Sequence, residues 1–179
     1  MKIYTAAISP NGLECAGEVA DGVFPVWMNP EKADVLLPSI QKGIAAAAGG
    51  KKKLADFDLA PFITCVLGDD LERCRMPVKG MLALYIGGMG ARNKNFYNDY
   101  AKRLGYEGEA KKIQDLYLDG KKMEAMAAVP DKLVDEIALV GSKERIQERL
   151  AAWKVSGVTD MLVGAGQPEA LRALAEALL

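Results

Sequence analysis

The sequence predicts an α/β fold built from strand–helix units. Three observations carry this. Short apolar runs recur at Ile3 to Ala7, Val23 to Trp27, Leu59 to Leu67 and Val158 to Val163. Each is followed by a segment with helical periodicity. Capping residues or proline stand where those helices begin. A strand, helix, strand order with short connections normally gives parallel strands.

Each element has its own local reason. Ile3 to Ala7 is a short buried strand, and Ser9-Pro10 then starts a helix, with Ser9 as N-cap and Pro10 at the first helical position. Leu13, Ala16, Gly17 and Ala20 form one helical face, on which Gly17 lets the helix approach the sheet closely. Asp21-Gly22 ends this helix, and Val23 to Trp27 is the next strand. Asn29-Pro30 opens a second helical region, interrupted by Pro38 and closed by Gly49-Gly50. Leu59 to Leu67 is strand-like, and Asp69-Asp70 caps a helix through about Tyr85. Gly87 to Asn95 is a glycine-rich loop. Residues 96 to 136 are helical but broken by Gly105, Gly108, Gly120 and Pro130, and they form an insertion. Ile137 to Val140 is a short extended run, and Ser142 caps a helix with Ile146, Leu150 and Trp153 on one face. After the last strand, Gln167-Pro168 opens a closing helix with Leu171, Leu174 and Leu178 inward.

The 179 residues suit a single domain, and an apolar share of 50% can bury a substantial core. With 23 basic and 24 acidic residues the net charge is −1, which gives no electrostatic footprint for nucleic acid or an anionic membrane. The Lys51-Lys52-Lys53 run reads as a solvated loop. The amino terminus has no signal-peptide pattern. The longest apolar stretch, Met81 to Ala91, is broken by glycines and falls short of the roughly 18 residues of a membrane span. A cytoplasmic location is the expectation. Cys15, Cys65 and Cys74 are scattered, which reads as buried small hydrophobes and not as a disulfide or metal framework. Histidine is absent, which removes Ser-His-Asp and Cys-His catalysis and the commonest transition-metal ligand. No metal site is expected.

Two segments could carry chemistry. Ala6 to Gly12 joins a strand end to a helix start, where free N–H groups and the helix dipole suit a phosphate. The donors would be Ser9, Asn11 and Gly12, with the Ser9 hydroxyl in reach; an ordinary capped helix has the same pattern. Gly87 to Asn98 gathers Arg92, Lys94, Tyr97 and amide side chains. It is either a functional loop or a structural one in which Phe96 and Tyr97 anchor the next helix. The carboxylate pairs Asp69-Asp70 and Asp135-Glu136 read as helix caps, and solvent exposure explains Glu14 and Glu18. A small flavodoxin-like signalling domain fits the strand spacing loosely. It lacks the acidic cluster of such receivers, since Ala6-Ala7 stands at the end of the first strand.

The segments in order resemble the luciferase-like monooxygenase family, in particular its F420-dependent (deazaflavin) oxidoreductase branch. The residues that carry this are Ile3 to Ala7 leading to Gly17 through Val23, Gly88-Met89-Gly90-Ala91-Arg92 with Asn95 to Asn98, and Leu116 to Lys121. Val129-Pro130-Asp131, Leu139-Val140-Gly141, and Glu148-Arg149-Leu150 before Gly157-Val158-Thr159 complete the set. The resemblance implies a partial (β/α)8 TIM barrel over residues 1–179, about strands five to eight, with a helical insertion before the last strand. It implies a flavin- or deazaflavin-dependent oxidoreductase or monooxygenase, using coenzyme F420 or FMN. The turn that holds the cofactor phosphate in relatives maps onto Ile8, Ser9, Asn11 and Gly12. Many relatives have glycine where Ile8 and Ser9 stand. Relatives place their acid–base residues on the first four strands, so no catalytic residue carries over. The alternative is a non-catalytic truncated barrel that binds cofactor or only oligomerises. Open sheet edges and an open core face imply a homodimer or a complex with a missing N-terminal half.

Overall fold

Strand β1 (Tyr4–Ala6), helix α1 (Pro10–Val19) and strand β2 (Gly22–Phe24) form the predicted βαβ unit. The two strands are parallel, with Tyr4 opposite Gly22 and Ala6 opposite Phe24. The computed structural model describes residues 1–50 and 52–178. It divides into two units: Met1–Ile63 with Ala151–Gly164, and Thr64–Leu150 with Ala165–Leu179.

In the first unit, α1 starts as its sequence dictates. The Ser9 side chain accepts from the Gly12 N–H, and Pro10 occupies the first turn. Leu13, Ala16 and Gly17 are buried. The role of Gly17 differs from the expectation. A Cβ there would lie 2.2 Å from the Ile40 carbonyl oxygen, so the residue admits a neighbouring helix and not the sheet. That helix is α2 (Leu37–Ala46), whose Gly43 meets the Glu14 carbonyl in the same way. The break expected at Pro38 falls just before it, between a 3-10 segment at Pro30–Val35 and α2. Lys51 lies outside the described residues. Lys52 is not simply solvated: its ammonium donates to the Gly17 and Ala20 carbonyls, capping the end of α1 where the dipole is negative.

The strand expected over Leu59 to Leu67 is interrupted. It forms as β3 (Asp58–Leu59) and β4 (Phe62–Leu67). Pro61 has no N–H, yet the ladder to the second strand carries on past it. The N–H groups of Asp58, Ala60 and Phe62 reach the carbonyls of Asp21, Val23 and Pro25 at 2.9, 3.0 and 2.9 Å. Pro61 occupies the alternate position, whose N–H would face away from β2. The last strand, β6 (Leu162–Gly164), is shorter than its apolar run, and the Leu162 N–H bonds the Pro61 carbonyl.

In the second unit the rest of β4 pairs in parallel with β5 (Leu139–Gly141), Cys65 opposite Leu139. Asp70 N-caps α3 (Leu71–Leu82), accepting from the Arg73 N–H. The helix does not stop before Gly87 but continues as a π-helical segment, Ala83–Gly88. The fragmented region resolves into α4 (Phe96–Arg103), α5 (Glu107–Leu118), α6 (Lys122–Ala127) and α7 (Asp131–Ile137). Helix α8 (Lys143–Lys154) buries Ile146, Leu150 and Trp153 as predicted. In α9 (Pro168–Leu178) only Leu174 of the three expected leucines is buried. Leu171 and Leu178 are 48% and 42% exposed, because the inward face is set by Ala170, Ala173 and Leu174. Gln167, just before α9, behaves as a strand residue. Its side-chain amide donates to the Leu67 carbonyl and accepts from the Leu67 N–H, both at 2.9 Å.

Candidate functional site

The residues picked out at the end of β1 meet at the amino terminus of α1. Ser9 Oγ takes the Gly12 N–H at 3.2 Å, and the Ser9 carbonyl takes the Leu13 N–H at 2.9 Å. Ile8 is already engaged within the protein. Among the described residues no hydrogen bond engages the N–H of Ser9 or of Asn11. The site therefore keeps two backbone donors at the positive end of a ten-residue helix. No acidic residue stands in the first turn to oppose an anion. Gly12 keeps the turn tight: a Cβ there would be 3.0 Å from Ser9 Oγ and 3.2 Å from the Ala7 Cβ. These features fit a phosphate ester.

The same end of the parallel pair carries a feature with no local signature. Trp27, just beyond β2, has φ 53°, the one positive φ at a non-glycine among the described residues. Bulky residues rarely adopt this region, and it costs about 1–3 kcal/mol. The indole is held at 6% exposure, so packing enforces the turn. It leads into Asn29, which is buried and accepts from the Glu31 N–H at 2.9 Å.

At the opposite, amino-terminal end of these strands, Tyr4, Gly22 and Asp58 occupy one rung. The Tyr4 ring lies across Gly22, where a Cβ would be 2.5 Å from it, and stacks on Phe24 with ring centres 4.9 Å apart. Its hydroxyl donates to Asp58 Oδ2 at 2.5 Å, and Lys2 Nζ reaches the same oxygen at 2.7 Å. These two donors hold the Asp58 carboxyl below its ordinary range, the Lys2 contact foremost. The bond to Asp58, with burial, raises the Tyr4 hydroxyl, so it stays protonated.

The glycine-rich loop is structural. A Cβ at Gly87 would lie 2.5 Å from the Tyr117 Cβ, and one at Gly88 would lie 2.4 Å from the Tyr117 ring, so the π-helical segment exists only without them. The carbonyls of Tyr85 and Ile86 are met by the Asn95 amide at 3.0 and 3.1 Å, and Asn98 reaches Ile86 again at 3.2 Å. Asn95 also N-caps α4. Phe96 is 65% exposed and anchors nothing, whereas Tyr97 packs edge-on against Tyr85. Arg92 is tied to Asp115 and Asp119.

Asp135 and Glu136 are not caps. They lie in the last turn of α7, where Asp135 accepts from Arg75 Nε at 3.0 Å and from Arg145 at 3.0 Å, and Glu136 accepts from the Tyr106 hydroxyl at 2.8 Å. Arg75 also meets Glu72 and Asp131, and its partners, Asp135 first, raise its pKa further. Fully paired carboxylates of this kind are poor candidates for proton transfer. Cys65 and Cys74 are buried as expected, and burial pushes the Cys65 thiol up to about 11, but Cys15 is exposed. Among the described residues no group of three or more Cys, Asp or Glu could hold a metal ion, and no helix is long and apolar enough to cross a membrane.

Comparison with known proteins agrees with this architecture. A Mycobacterium tuberculosis protein named as a coenzyme F420-dependent oxidoreductase is 34% identical over 173 residues, covering 97% of this chain and 50% of that protein. The 5,10-methylenetetrahydromethanopterin reductase of Methanopyrus kandleri is 26% identical over 162 residues, 90% of this chain and 44% of its own length. The structure of the coenzyme F420-dependent tetrahydromethanopterin reductase from Methanopyrus kandleri superposes with a TM-score of 0.71 at 21% identity, over 97% of this chain and 48% of that one. An F420-dependent secondary alcohol dehydrogenase, bound to an F420-acetone adduct, superposes with a TM-score of 0.57 at 17% identity, over 96% and 45%. The chain thus has an α/β fold similar to theirs and spans about half the length of the relatives it matches. The family model described as luciferase-like monooxygenase matches residues 1–160, and the chain belongs to that family.

Proposed function

We propose that this chain is the cofactor-phosphate half of a deazaflavin- or flavin-dependent oxidoreductase, corresponding to about strands five to eight of a (β/α)8 barrel. The observation that carries this is the α1 amino terminus. It offers the free N–H groups of Ser9 and Asn11 at the carboxyl end of a parallel strand, in a chain whose relatives include proteins named for coenzyme F420. Ligands of parallel α/β folds bind at that end of the strands.

When bound, such a cofactor supplies hydride transfer, or with oxygen monooxygenation. This chain's own contribution is positional. The Ser9 and Asn11 N–H groups orient the phosphate, the helix dipole offsets its charge, and Gly12 keeps the turn close. No side chain here is assigned a proton-transfer role: histidine is absent and the part-buried carboxylate of Asp135 is committed to ion pairs with Arg75 and Arg145.

Fluorescence titration with coenzyme F420 and with FMN tests the proposal. Saturable binding of either, weakened at least tenfold by Ser9→Asp, supports it. No binding of either overturns it for this chain. The half-length match favours one second reading, a cofactor-binding or oligomerising protein without turnover. Binding without reduction by any hydride donor selects that reading.

A further inference from the structure

The chain beyond β2 holds an unused donor. Trp27, Met28, Asn29 and Pro30 are all buried, Asn29 at 2% exposure. The two ends of the Asn29 side chain are in different states. Its Oδ1 takes the Glu31 N–H at 2.9 Å and caps the 3-10 segment at Pro30–Val35. That bond identifies the oxygen, so the other end is Nδ2, which carries two N–H donors. Among the described residues no hydrogen bond engages this nitrogen. Thr5 Oγ1 and Trp153 Nε1 are also without partners, but they are sealed from the surface, whereas the Asn29 nitrogen retains access to it.

The cap has no need of this group. It uses one side-chain oxygen, and Asp or Ser would supply that as well as Asn does. A buried amide without a partner costs the fold stability. So does the φ of 53° at Trp27, two residues earlier. Two unfavourable features so close together, both held by packing, fit a position kept for a ligand. The register says which part of the ligand. Ala6 and Phe24 stand opposite each other in the parallel pair, and Ser9 and Trp27 each follow three residues later. Neighbouring strands lie about 4.8 Å apart. Asn29 thus leaves the carboxyl end of the strand next to the one that leads to the free N–H groups of Ser9 and Asn11. We propose that Asn29 Nδ2 is a third donor to the phosphate ester held by those two N–H groups. This donor role rests on the phosphate reading of the α1 amino terminus and adds to it a side chain that no cap or packing requirement explains.

The test compares FMN with riboflavin, which has the same ring and no phosphate, by fluorescence titration of the wild type, Asn29→Ser and Asn29→Asp. Where the wild type takes coenzyme F420 instead, the phosphate-free deazaflavin replaces riboflavin. Both variants keep a capping oxygen, and far-UV circular dichroism identifies which are folded. Asn29→Ser should weaken FMN about tenfold and leave riboflavin within about twofold. Asn29→Asp, which faces the phosphate with a carboxylate, should weaken FMN further. A second measurement needs no variant to fold. In isotopically labelled wild-type protein the Asn29 side-chain amide resonances, assigned through their own backbone, should move on addition of FMN and stay in place with riboflavin. Unchanged FMN affinity in a folded variant, equal losses for both ligands, or amide resonances that FMN leaves in place overturn the proposal while the phosphate reading stands. Wild-type protein that binds neither FMN nor F420 overturns the phosphate reading and the proposal with it.

Discussion

Ser9 Oγ accepts from the Gly12 N–H, and that bond separates two roles of one residue. As a cap it stabilises α1; through its backbone it faces the proposed phosphate. Ser9→Ala removes the cap and should lower stability by about 1 kcal/mol, seen as a reduced thermal midpoint. Ser9→Asp keeps a capping oxygen but adds a negative charge. It should leave the midpoint near wild type while cutting cofactor affinity at least tenfold, and equal loss in both measurements would show that only the helix had been disturbed. The thiols give a second residue-scale prediction. Cys15 is exposed, whereas Cys65 is buried with its pKa pushed up to about 11, and Cys74 is buried. Thiol labelling in native buffer should modify one cysteine per chain quickly and the other two only on unfolding.

Helices α1 and α2 cross through Gly17 and Gly43, whose missing side chains let the backbones touch. A Cβ at Gly43 would sit 1.9 Å from the Glu14 carbonyl oxygen, a rigid backbone atom. Gly43→Ala should therefore destabilise by about 1–3 kcal/mol despite its better helix propensity, measured by chemical denaturation; a stabilised variant would contradict the packing described. The π-helical segment depends on other residues. Asn98 is 2% exposed and donates to the Ile86 and Ala110 carbonyls at 3.2 and 2.8 Å. Asn98→Ala should cost about 1–3 kcal/mol by removing two buried hydrogen bonds, and hydrogen exchange should rise first around residues 83–98. The glycine run announced that something tight happens there. It did not announce that the helix would continue through two of the glycines, because the cause is the Tyr117 ring, distant in sequence.

Across the whole molecule, ion pairs tie carboxylates to bases far away in sequence, as Asp58 to Lys2 and Asp131 to Lys79. Both carboxyls are held below their ordinary pKa, by bonds from Lys2 and Tyr4 in the first case and chiefly from Lys79 in the second. A carboxyl depressed in the folded state stabilises fully above its unfolded pKa. That contribution falls as the pH drops through the unfolded value and is gone below the folded one. The thermal midpoint should thus decline as the pH falls below about 5, and Asp58→Asn should flatten part of that decline. A profile unchanged by the substitution would show that the rung contributes nothing.

Local chemistry alone decides the start of α1, since Ser9, Pro10 and the apolar spacing after them act within a single turn. It likewise decides the parallel βαβ order and the buried face of α8. Family membership was legible too, because it resides in the order of short segments. Tertiary structure decided what depends on a partner remote in the chain. It turned Gly17 from a sheet contact into a helix crossing and made Asp135 and Glu136 ion-pair and hydrogen-bond partners in place of caps. It also carried the ladder past Pro61 and set Trp27 at φ 53°. The physical reason is range. Propensity and capping act over a few residues, whereas close approach, charge pairing and backbone strain are set by whatever the fold brings alongside.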